Sequence, residues 1–228
     1  MNLLYKEIFD YLYSNLKTEQ LYSIGGTSRD YLLNKEIDDF DFASNLLPSQ
    51  VESIFKDGKY TFSKFGTVDL TYKEKRITLT TFRKDITYLD KRHPKVEFIS
   101  SYKEDSLRRD FTINSIYINH DNKIFDPNNG IEDLNNKLIK MIGDIKTRID
   151  EDPLRILRCY RFQSQLDFNI ESKLEEYIDS NFDLLKNISK GKIIQELNKC
   201  KKDTKLYLFK RLVNDNILDE ENKNELNI

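Results

Sequence analysis

Three aspartates crowd into the segment IDDFDFAS, residues 37 to 44, which is otherwise apolar enough to form a β-strand. Because side chains alternate between the two faces of a strand, Asp39 and Asp41 are predicted to project to one side and Asp38 to the other. Two carboxylates about 4 Å apart repel by roughly 4 kcal/mol at an effective dielectric constant of 20. A divalent cation offsets that repulsion, and Mg²⁺ is commonly held by one or two carboxylates together with substrate phosphates. Taken alone, the pattern also describes a solvated turn or an edge strand.

A glycine-rich turn, within SIGGTSRDYLL, precedes the aspartates by about a dozen residues. Gly25 and Gly26 allow the backbone to turn sharply and to approach a ligand closely. Thr27 or Ser28 is predicted to cap the helix that follows, and the N-terminus of a helix favours phosphate. Arg29 adds a phosphate donor. The turn and the paired aspartates together predict a site for a triphosphate and its metal ions, which is the layout of a nucleotidyl transferase.

Composition constrains the binding partners and the cellular compartment of a protein with such a site. The 228 residues carry a net charge of −2, so any contact with nucleic acid depends on a local basic patch. The two cysteines, Cys159 and Cys200, have no partners at metal-ligand spacing, which is typical of a reducing compartment. The N-terminal segment MNLLYKEIFDYLYSNL reads as neither a signal peptide nor a membrane span. We therefore expect a cytoplasmic protein without membrane contact.

The predicted secondary structure of the chain changes near residue 126. Before that point, short β-rich runs (LYSI, DFDFA, TVDLTY, ITLTTF and VEFI) alternate with helical segments. After it no further strand is predicted, and residues 145–213 read as successive helices. Strands followed by helices predict an α+β fold with a small mixed sheet, joined to an all-helical module. We place the two domains at residues 1–140 and 141–228, with a boundary anywhere from about 125 to 145.

Five segments, in order along residues 21–200, carry a resemblance to a known family. GGTSRDYLLNKEIDDFDFAS resembles the first motif of the class II tRNA nucleotidyltransferases (CCA-adding enzymes) and of the closely similar bacterial poly(A) polymerases. SLRRDFTINSIYIN resembles their second motif, and DEDPLRILRCYRFQSQLDF their Glu-Asp-x-x-Arg motif, which reads the incoming base. KFGTVDL and TTFRKDITYLDKRHPKVEF match the stretch between. The resemblance implies a nucleotidyltransferase head followed by a helical neck.

The second motif has both a structural and an implied functional reading. Ser101, followed three residues later by a glutamate, predicts a capping box that begins a helix. The resemblance implies that Arg108 or Arg109 faces phosphate, that Asp110 contacts the ribose hydroxyls, and that Asn114 helps to hold the sugar and triphosphate. An acceptor for the 2′-hydroxyl is what distinguishes ribonucleotides from deoxyribonucleotides.

The third motif places Asp152 and Arg155 one turn apart on a single predicted helix. A carboxylate accepts hydrogen bonds and a guanidinium donates them. Cytosine and adenine present an amino donor beside a ring-nitrogen acceptor, whereas uracil and guanine present the reverse order. One such pair could therefore accept CTP and ATP and reject UTP and GTP, because the wrong base leaves polar groups unpaired. The alternative is an ordinary surface ion pair. The resemblance also implies that Arg158 belongs to the nucleotide-binding set.

The resemblance implies a two-metal mechanism in which Asp39 and Asp41 hold Mg²⁺. The 3′-hydroxyl of tRNA would attack the α-phosphate of CTP or ATP in line, and pyrophosphate would leave. A charged, flexible-looking loop in FRKDITYLDKRHP carries Asp85, Asp90 and Arg92. In the resembling enzymes this loop is associated with switching to AMP addition and is shortened in CC-only enzymes, so complete CCA addition is expected. Poly(A) polymerase, or an A-adding or CC-adding specialist, is the alternative.

Two departures from the family pattern stand out. Many members carry a glutamate two residues before the Thr-Thr-Phe-Arg run, and here that position is Thr78, while Asp69 lies on a neighbouring predicted strand. Members usually continue into helical body and tail domains, but this sequence ends at Ile228, so a short form or a fragment is expected.

Three further readings remain open. A small-molecule nucleotidyl transferase would share the glycine turn and the aspartates but lack the base-reading pair, and a non-catalytic RNA-binding relic would tolerate Thr78. A C-terminal basic patch is either a phosphate-binding surface or a solvated helix face. Its members are Lys186, Lys190, Lys192, Lys199, Lys201, Lys202, Lys205, Lys210 and Arg211.

Overall fold

The computed structural model describes residues 3–88 and 94–226, which divide into two compact units. The first unit runs to Glu132 and the second continues from Asp133. This division falls inside the range of about 125 to 145 that the sequence indicated. The short helix Gly130–Asn135 crosses it.

The first unit contains a mixed sheet with helices around it. Its helices are α1 (Leu3–Leu16), α2 (Gly25–Leu32), α3 (Pro48–Ile54), α4 (Tyr102–Leu107) and the start of α5 (Gly130–Asn135). Its strands are β1 (Leu21–Ser23), β2 (Phe40–Ser44), β3 (Thr67–Tyr72), β4 (Lys75–Thr81), β5 (Arg83–Tyr88), β6 (Pro94–Phe98), β7 (Tyr117–Asn119) and β8 (Ile124–Phe125). Two short 3₁₀ helices lie at Ser63–Phe65 and Thr112–Asn114.

Six of these strands form one sheet in the order β3-β4-β2-β1-β7-β8. The pairing of β2 with β4 is parallel and the other pairings are antiparallel, so the sheet is mixed, as predicted. Strands β5 and β6 form a separate antiparallel hairpin. The α+β fold class is confirmed.

The core of the first unit lies between the sheet and α1. Apolar residues recur along α1 at the spacing of one helix face, and Ile8, Phe9 and Leu12 are buried there. The ring of Phe9 meets that of Phe42 of β2 edge to face, with centroids 5.0 Å apart. Since Phe40 and Phe42 point into this core, the intervening Asp41 must project from the opposite face of the sheet.

The second unit is mainly helical. Its helices are α6 (Ile145–Glu151), α7 (Leu154–Leu166), α8 (Ser172–Ser180), α9 (Lys190–Leu197) and α10 (Lys202–Asn214), with 3₁₀ helices at Phe182–Asn187 and Glu220–Glu225. The prediction that strands stop near residue 126 is wrong, because β9 (Leu138–Ile139) and β10 (Asn169–Ile170) form a short parallel ladder. Runs of two residues are too short for an alternating pattern to reveal them.

No helix within residues 3–88 and 94–226 combines the length and apolar character needed to cross a membrane. Cys159 and Cys200 are both buried, and neither is in a disulfide. Burial raises the pKa of the Cys200 thiol to about 11, so neither their placement nor this shift suggests a reactive cysteine.

Candidate active site

Asp39 and Asp41 flank the first residue of β2. Asp41 is the second residue of the strand, whereas Asp39 lies in a bend just before it. The prediction that both belong to one strand is therefore wrong for Asp39. The pairing of β2 with β4 begins only at Phe40.

The two carboxylates nevertheless act on each other. Burial raises the pKa of Asp41, and the negative charge of Asp39 raises it further. The positive charges of Arg109 and Arg76 and a hydrogen bond with Thr78 oppose these effects without cancelling them. An ionised Asp41 is therefore under electrostatic stress that a bound cation would relieve. Two oxygen ligands of this kind suit Mg²⁺.

The glycine turn lies directly beside Asp41. Gly25 has a φ of +61°, a conformation that side-chain-bearing residues rarely adopt, and a Cβ there would lie 3.6 Å from Asp41 Oδ2. Neither Thr27 nor Ser28 caps α2, because the helix already begins at Gly25 and its N-cap position is Ile24. That prediction is wrong.

Thr27 instead ties the turn to the aspartates. Its buried hydroxyl donates to the Asp39 carbonyl at 2.9 Å and accepts from the Asp41 amide at 2.7 Å. One side-chain oxygen therefore bridges the backbone of both aspartates. This contact fixes the start of α2 against the start of β2.

Asp105 organises the arginines of the second motif. Its fully buried carboxylate accepts from Arg108 Nε at 2.9 Å, Arg109 Nη2 at 2.8 Å and the Tyr117 hydroxyl at 2.6 Å. The amide of Arg83 adds a fourth donor at 3.0 Å. Burial alone would raise the pKa of Asp105, but the charges of Arg108 and Arg109 and these hydrogen bonds hold it well below its usual range.

Sequence reasoning missed Asp105 and Tyr117. A signal existed for Asp105, because it stands three and four residues before the two arginines in a segment predicted to begin as a helix at Ser101. Ser101 does cap α4, accepting from the Glu104 amide at 3.3 Å. Tyr117 follows the 3₁₀ helix and comes from a different element, so only the tertiary fold brings it to this carboxylate.

Three other predicted residues meet in one hydrogen-bonded chain. Arg29 donates to Asn114 Oδ1 at 2.7 Å, and Asn114 donates to Asp110 Oδ1 at 3.3 Å. Arg29 also makes two 2.9 Å hydrogen bonds to its neighbour Asp30, and is only 6% exposed. This pairing holds Asn114 in place and reduces the positive charge that Arg29 offers to a phosphate. The nucleotide-binding roles of these residues stay predictions.

A cleft of about 200 Å³ joins the glycine turn to the arginines. Its lining includes Gly25, Asp41, Thr80, Arg83, Arg108 and Arg109. This volume is below the roughly 300–1,000 Å³ usual for a drug-sized ligand, so the cleft suits phosphate groups rather than a whole nucleotide.

The charged segment between the first two motifs includes a hairpin formed by β5 and β6. Asp85, predicted to lie in a flexible loop, is instead part of β5, and Arg83 Nε lies 3.4 Å from its Oδ1. The pairing of β5 with β6 includes Tyr88 opposite Pro94. Asp90, Arg92 and His93 lie outside the described residues.

The Glu-Asp-x-x-Arg motif spans a break between two helices. Helix α6 ends at Glu151 and α7 begins at Leu154, so the prediction that Asp152 and Arg155 share one helix is wrong. Pro153 explains the break, because it disfavours helical conformation in the residue before it and tolerates only the first turn of a new helix. Asp152 Oδ1 accepts from the Leu154 amide at 3.2 Å.

Arg155 pairs with Glu151, the glutamate of the motif, to which the sequence analysis assigned no role of its own. Arg155 Nη1 lies 3.1 Å from Glu151 Oε2 and also donates to the Arg148 carbonyl. Arg148 pairs with the same glutamate oxygen. Arg158 lies half-buried on α7. The i,i+4 spacing of Glu151 and Arg155 could have revealed their contact.

A second cleft, about 560 Å³, lies in the second unit and contains none of the predicted nucleotide-binding or metal-binding residues, although three members of the C-terminal basic patch line it. Its charged lining residues are Asp179, Asp183, Asp215, Lys186, Lys210 and Arg211, three of each sign. That balance gives no preference for phosphate, so the smaller cleft in the first unit is the better candidate.

The C-terminal basic patch is partly neutralised. Lys190 pairs with Asp219, Lys199 with Glu196, and Arg211 with Asp179. Lys205 is 4% exposed. The net charge presented to an RNA is therefore smaller than the count of basic residues suggests.

The sheet, the glycine turn and the paired aspartates define a nucleotidyltransferase head. A family model described as the poly A polymerase head domain matches residues 21–140. This chain belongs to the poly(A) polymerase head domain family.

Named relatives of this chain are CCA-adding enzymes. The enzyme of Pediococcus pentosaceus is 43% identical over 177 residues, which is 77% of this chain and 45% of that protein. The crystal structure of the Bacillus stearothermophilus CCA-adding enzyme in complex with CTP is 35% identical with a TM-score of 0.76, covering 85% of this chain and 47% of that one.

A Thermotoga maritima CCA-adding enzyme complexed with tRNA is 25% identical with a TM-score of 0.68, covering 94% of this chain and 50% of that one. The chain thus spans about half the length of the relatives it matches.

Proposed function

We propose that this chain carries the catalytic head of an enzyme that adds CCA to the 3′ end of tRNA from CTP and ATP, without a nucleic-acid template. The observation that carries the proposal is the cleft of the first unit, where Asp41 faces the glycine turn and Arg109. The names of the matched relatives support the choice of tRNA, CTP and ATP as substrates. Pyrophosphate is the leaving product.

Asp39 and Asp41 are the proposed ligands of Mg²⁺, in a two-metal phosphoryl transfer. Their fit rests on the mutual repulsion already described, because burial and the charge of Asp39 leave Asp41 with a raised pKa that a cation would relieve. When bound, Mg²⁺ supplies a lowered pKa for the attacking 3′-hydroxyl and neutralises charge on the leaving oxygens. No group of three His, Cys, Asp or Glu side chains that could hold a metal occurs in the described part of the chain.

The remaining residues bind and orient the nucleotide. Arg108 and Arg109 are positioned by Asp105 to donate to phosphate oxygens in the cleft, where charge-assisted hydrogen bonds are strong. Asp110 is proposed to contact the ribose hydroxyls and Asn114 to help hold the sugar and triphosphate, a role supported by the hydrogen bonds that join both residues to Arg29, the proposed phosphate donor. Holding the triphosphate against fixed donors lowers the activation barrier. The translational and rotational entropy is then lost on binding and not in the chemical step.

Base selection is proposed for the Glu-Asp-x-x-Arg segment of the second unit. Asp152 offers an acceptor and Arg155 offers donors, the complement of cytosine and adenine. Glu151 holds Arg155 in one orientation, which supports a selective role because a fixed guanidinium rejects a mismatched base more strongly than a mobile one. Asp85, Asp90 and Arg92 are proposed to assist the switch from CMP to AMP addition.

The test is nucleotide incorporation by the purified chain with Mg²⁺. Transfer RNAs ending before, within and after CCA are each incubated with one labelled nucleotide at a time. Addition of C, C and A followed by arrest is the expected result. An open-ended A tract would support poly(A) polymerase instead, and absence of incorporation would refute the proposed function for this chain.

Matched substitutions test the assigned carboxylates. Asp39→Asn and Asp41→Asn are each expected to lower incorporation at least a thousandfold while leaving the far-ultraviolet circular dichroism unchanged. Asp38→Asn is the control, because Asp38 is an exposed neighbouring carboxylate outside the proposed ligand pair. A variant of Asp41 that still extends tRNA at the wild-type rate would contradict its role.

The cellular location of this activity is also a proposal. A cytoplasmic location is supported by two buried cysteines, neither of which is in a disulfide.

A further inference from the structure

The hydrogen-bond ladder between β1 and β2 is interrupted where the two candidate metal ligands lie. In an antiparallel pair, facing residues exchange amide-to-carbonyl hydrogen bonds at every second position. Continued by one residue, the register of β1 with β2 places Ile24 opposite Asp41, and the Ile24 amide does donate to the Asp41 carbonyl at 3.0 Å. Two residues further, the same register would place Gly26 opposite Asp39. Ladder bonds would therefore hold both aspartates if β1 continued.

Strand β1 does not continue, because the chain turns into α2 at Gly25. The φ of Gly25 is +61°, and the carbonyl of Ile24 accepts from the Ser28 amide at 3.4 Å. The helix thus takes up the Ile24 carbonyl and removes Gly26 from the ladder. The Asp41 amide and the Asp39 carbonyl then need other partners, since a buried backbone group without a partner is costly.

The hydroxyl of Thr27 supplies both partners. It accepts from the Asp41 amide at 2.7 Å and donates to the Asp39 carbonyl at 2.9 Å. A hydroxyl has one hydrogen to donate and lone pairs with which to accept, so these two bonds form together and do not compete. Thr27 is fully buried, so bulk water does not readily replace its hydroxyl.

Asp39 depends on this contact more than Asp41 does. Asp41 is also held by the pairing of β2 with β4 and by the Ile24 amide. Asp39 precedes the strand and lies in a bend, outside that pairing. The Thr27 hydroxyl therefore ties the less constrained aspartate to the more constrained one.

We propose that Thr27 is a positioning residue of the cation site: its hydroxyl replaces two ladder hydrogen bonds and so holds Asp39 and Asp41 at the separation that a divalent cation requires. This inference rests on the proposed function, because it presumes that the two aspartates are metal ligands. Mg²⁺ demands near-ideal octahedral geometry, so displacement of one carboxylate weakens binding. The role is indirect, since both hydrogen bonds of the hydroxyl go to backbone atoms.

Manganese binding by the chain alone tests the proposal without any catalytic turnover. Mn²⁺ suits the same carboxylate oxygens as Mg²⁺ and is titrated by its electron paramagnetic resonance signal in the absence of nucleotide and tRNA. Thr27→Val removes the hydroxyl at nearly constant volume. It should weaken Mn²⁺ binding about tenfold, because loss of a group that orients a metal ligand typically lowers affinity 10–100-fold. Thr27→Ser keeps the hydroxyl and should bind as the wild type does.

Thr81→Val is the matched control. Thr81 is also buried in the first unit, and its hydroxyl donates to the Leu46 carbonyl at 2.7 Å, a backbone group of neither aspartate. Both valine variants leave a buried carbonyl without its donor, so both should lower the urea concentration at the unfolding midpoint. Only Thr27→Val should lower the affinity for Mn²⁺. A purely structural role of Thr27 would leave the Mn²⁺ affinity of the folded variant unchanged.

Far-ultraviolet circular dichroism establishes that each variant is folded before the titration. If Thr27→Val does not fold, Thr27→Ala takes its place, because it removes the hydroxyl without placing a methyl group against the two backbone groups. The same loss of Mn²⁺ affinity is expected.

Three results would each overturn the proposal: equal Mn²⁺ affinities of the wild type and the variant without the hydroxyl, an equal loss in Thr81→Val, or a loss in Thr27→Ser. Absence of Mn²⁺ binding by the wild-type chain would overturn it as well. A chain that shows the expected differences yet adds nothing to tRNA would refute the proposed function alone. A chain that adds CCA, although removal of the Thr27 hydroxyl leaves Mn²⁺ binding unchanged, would refute this inference alone.

Discussion

The arginines of the first unit and those of the second are held in different ways. In the first unit, Arg108 and Arg109 share the fully buried carboxylate of Asp105 with a tyrosine from another element. In the second unit, Arg148 and Arg155 share Glu151, whose side chain is 26% exposed and which lies within four residues of both. One cluster depends on the tertiary fold, whereas the other is local to a helix end.

This difference indicates which of the two arginine clusters is held more rigidly. A buried carboxylate with four donors cannot move without leaving charges unpaired in a region of low dielectric, so the arginines beside the cleft are fixed before any ligand arrives. A half-exposed glutamate can exchange its partners for water at little cost. Arg108 and Arg109 are thus held more rigidly than Arg155, which Glu151 and the Arg148 carbonyl orient.

The largest expected effect follows from removing the charge of each central carboxylate. Asp105→Asn should lower the free energy of unfolding by about 3–5 kcal/mol, because it leaves buried arginines without their partner. Glu151→Gln should lower it by about 1 kcal/mol, since water reaches Glu151 and Arg155 keeps the Arg148 carbonyl. Urea unfolding of both variants measures the difference. Similar losses in the two units would refute the comparison.

A smaller effect is expected on base selection. Asp152→Asn keeps an oxygen that can accept from the Leu154 amide, so the unfolding midpoint should hardly change. It replaces one acceptor by a donor, and the preference for CTP and ATP over UTP and GTP should fall about 10–100-fold. Single-nucleotide incorporation measures this ratio. The control is Asp150→Asn, an exposed neighbour paired with Lys146 that should leave the preference unchanged.

Deleting one hydroxyl in each unit sharpens the comparison further. Tyr117→Phe should lower the free energy of unfolding by about 1–3 kcal/mol, because it removes a 2.6 Å donor from buried Asp105. Tyr160→Phe in the second unit removes contacts of only 3.4 Å to Asp179 and 3.3 Å from Arg211. It should lower stability by about 0.5 kcal/mol. Equal losses would mean that burial of the carboxylate is unimportant.

The smallest expected effect is a pH dependence in mild acid. The folded-state pKa of Asp105 lies below its unfolded value of about 3.9, so the unfolded chain binds more protons between the two values. The stability that Asp105 supplies is therefore complete above about pH 5 and is lost as pH falls through the folded pKa. The gap in unfolding midpoint between wild type and Asp105→Asn should narrow from pH 5 to pH 3. A constant gap would contradict a lowered pKa.

The sequence predicted local features well. The run TVDLTY became β3 residue for residue, and Ser101 caps its helix, because alternation and capping are properties of a few adjacent residues. The α+β class followed from the same patterns. Family resemblance added the order of the motifs.

Features that depend on distant contacts were not predicted. Thr27 was expected to cap a helix, yet its hydroxyl bonds to the backbone of a strand that begins thirteen residues later. Asp152 and Arg155 were expected on one helix, although Pro153 between them was a visible signal of a break. The hydrogen bond from Tyr117 to Asp105 required the packed core. Propensity and capping rules consider only residues that are close in sequence, so they do not predict contacts between distant segments.

The Thr27 bridge bears on how this protein could be redesigned. Because the Thr27 hydroxyl, the Ile24 amide and the pairing of β1 with β2 hold the glycine turn against the aspartates, the exposed connection at residues 34–36 does not have to do so. Lengthening a loop raises its closure entropy only slowly. Insertions there should leave the spacing of the reactive groups intact, which makes this connection a natural place to attach a reporter or an affinity handle close to the chemistry.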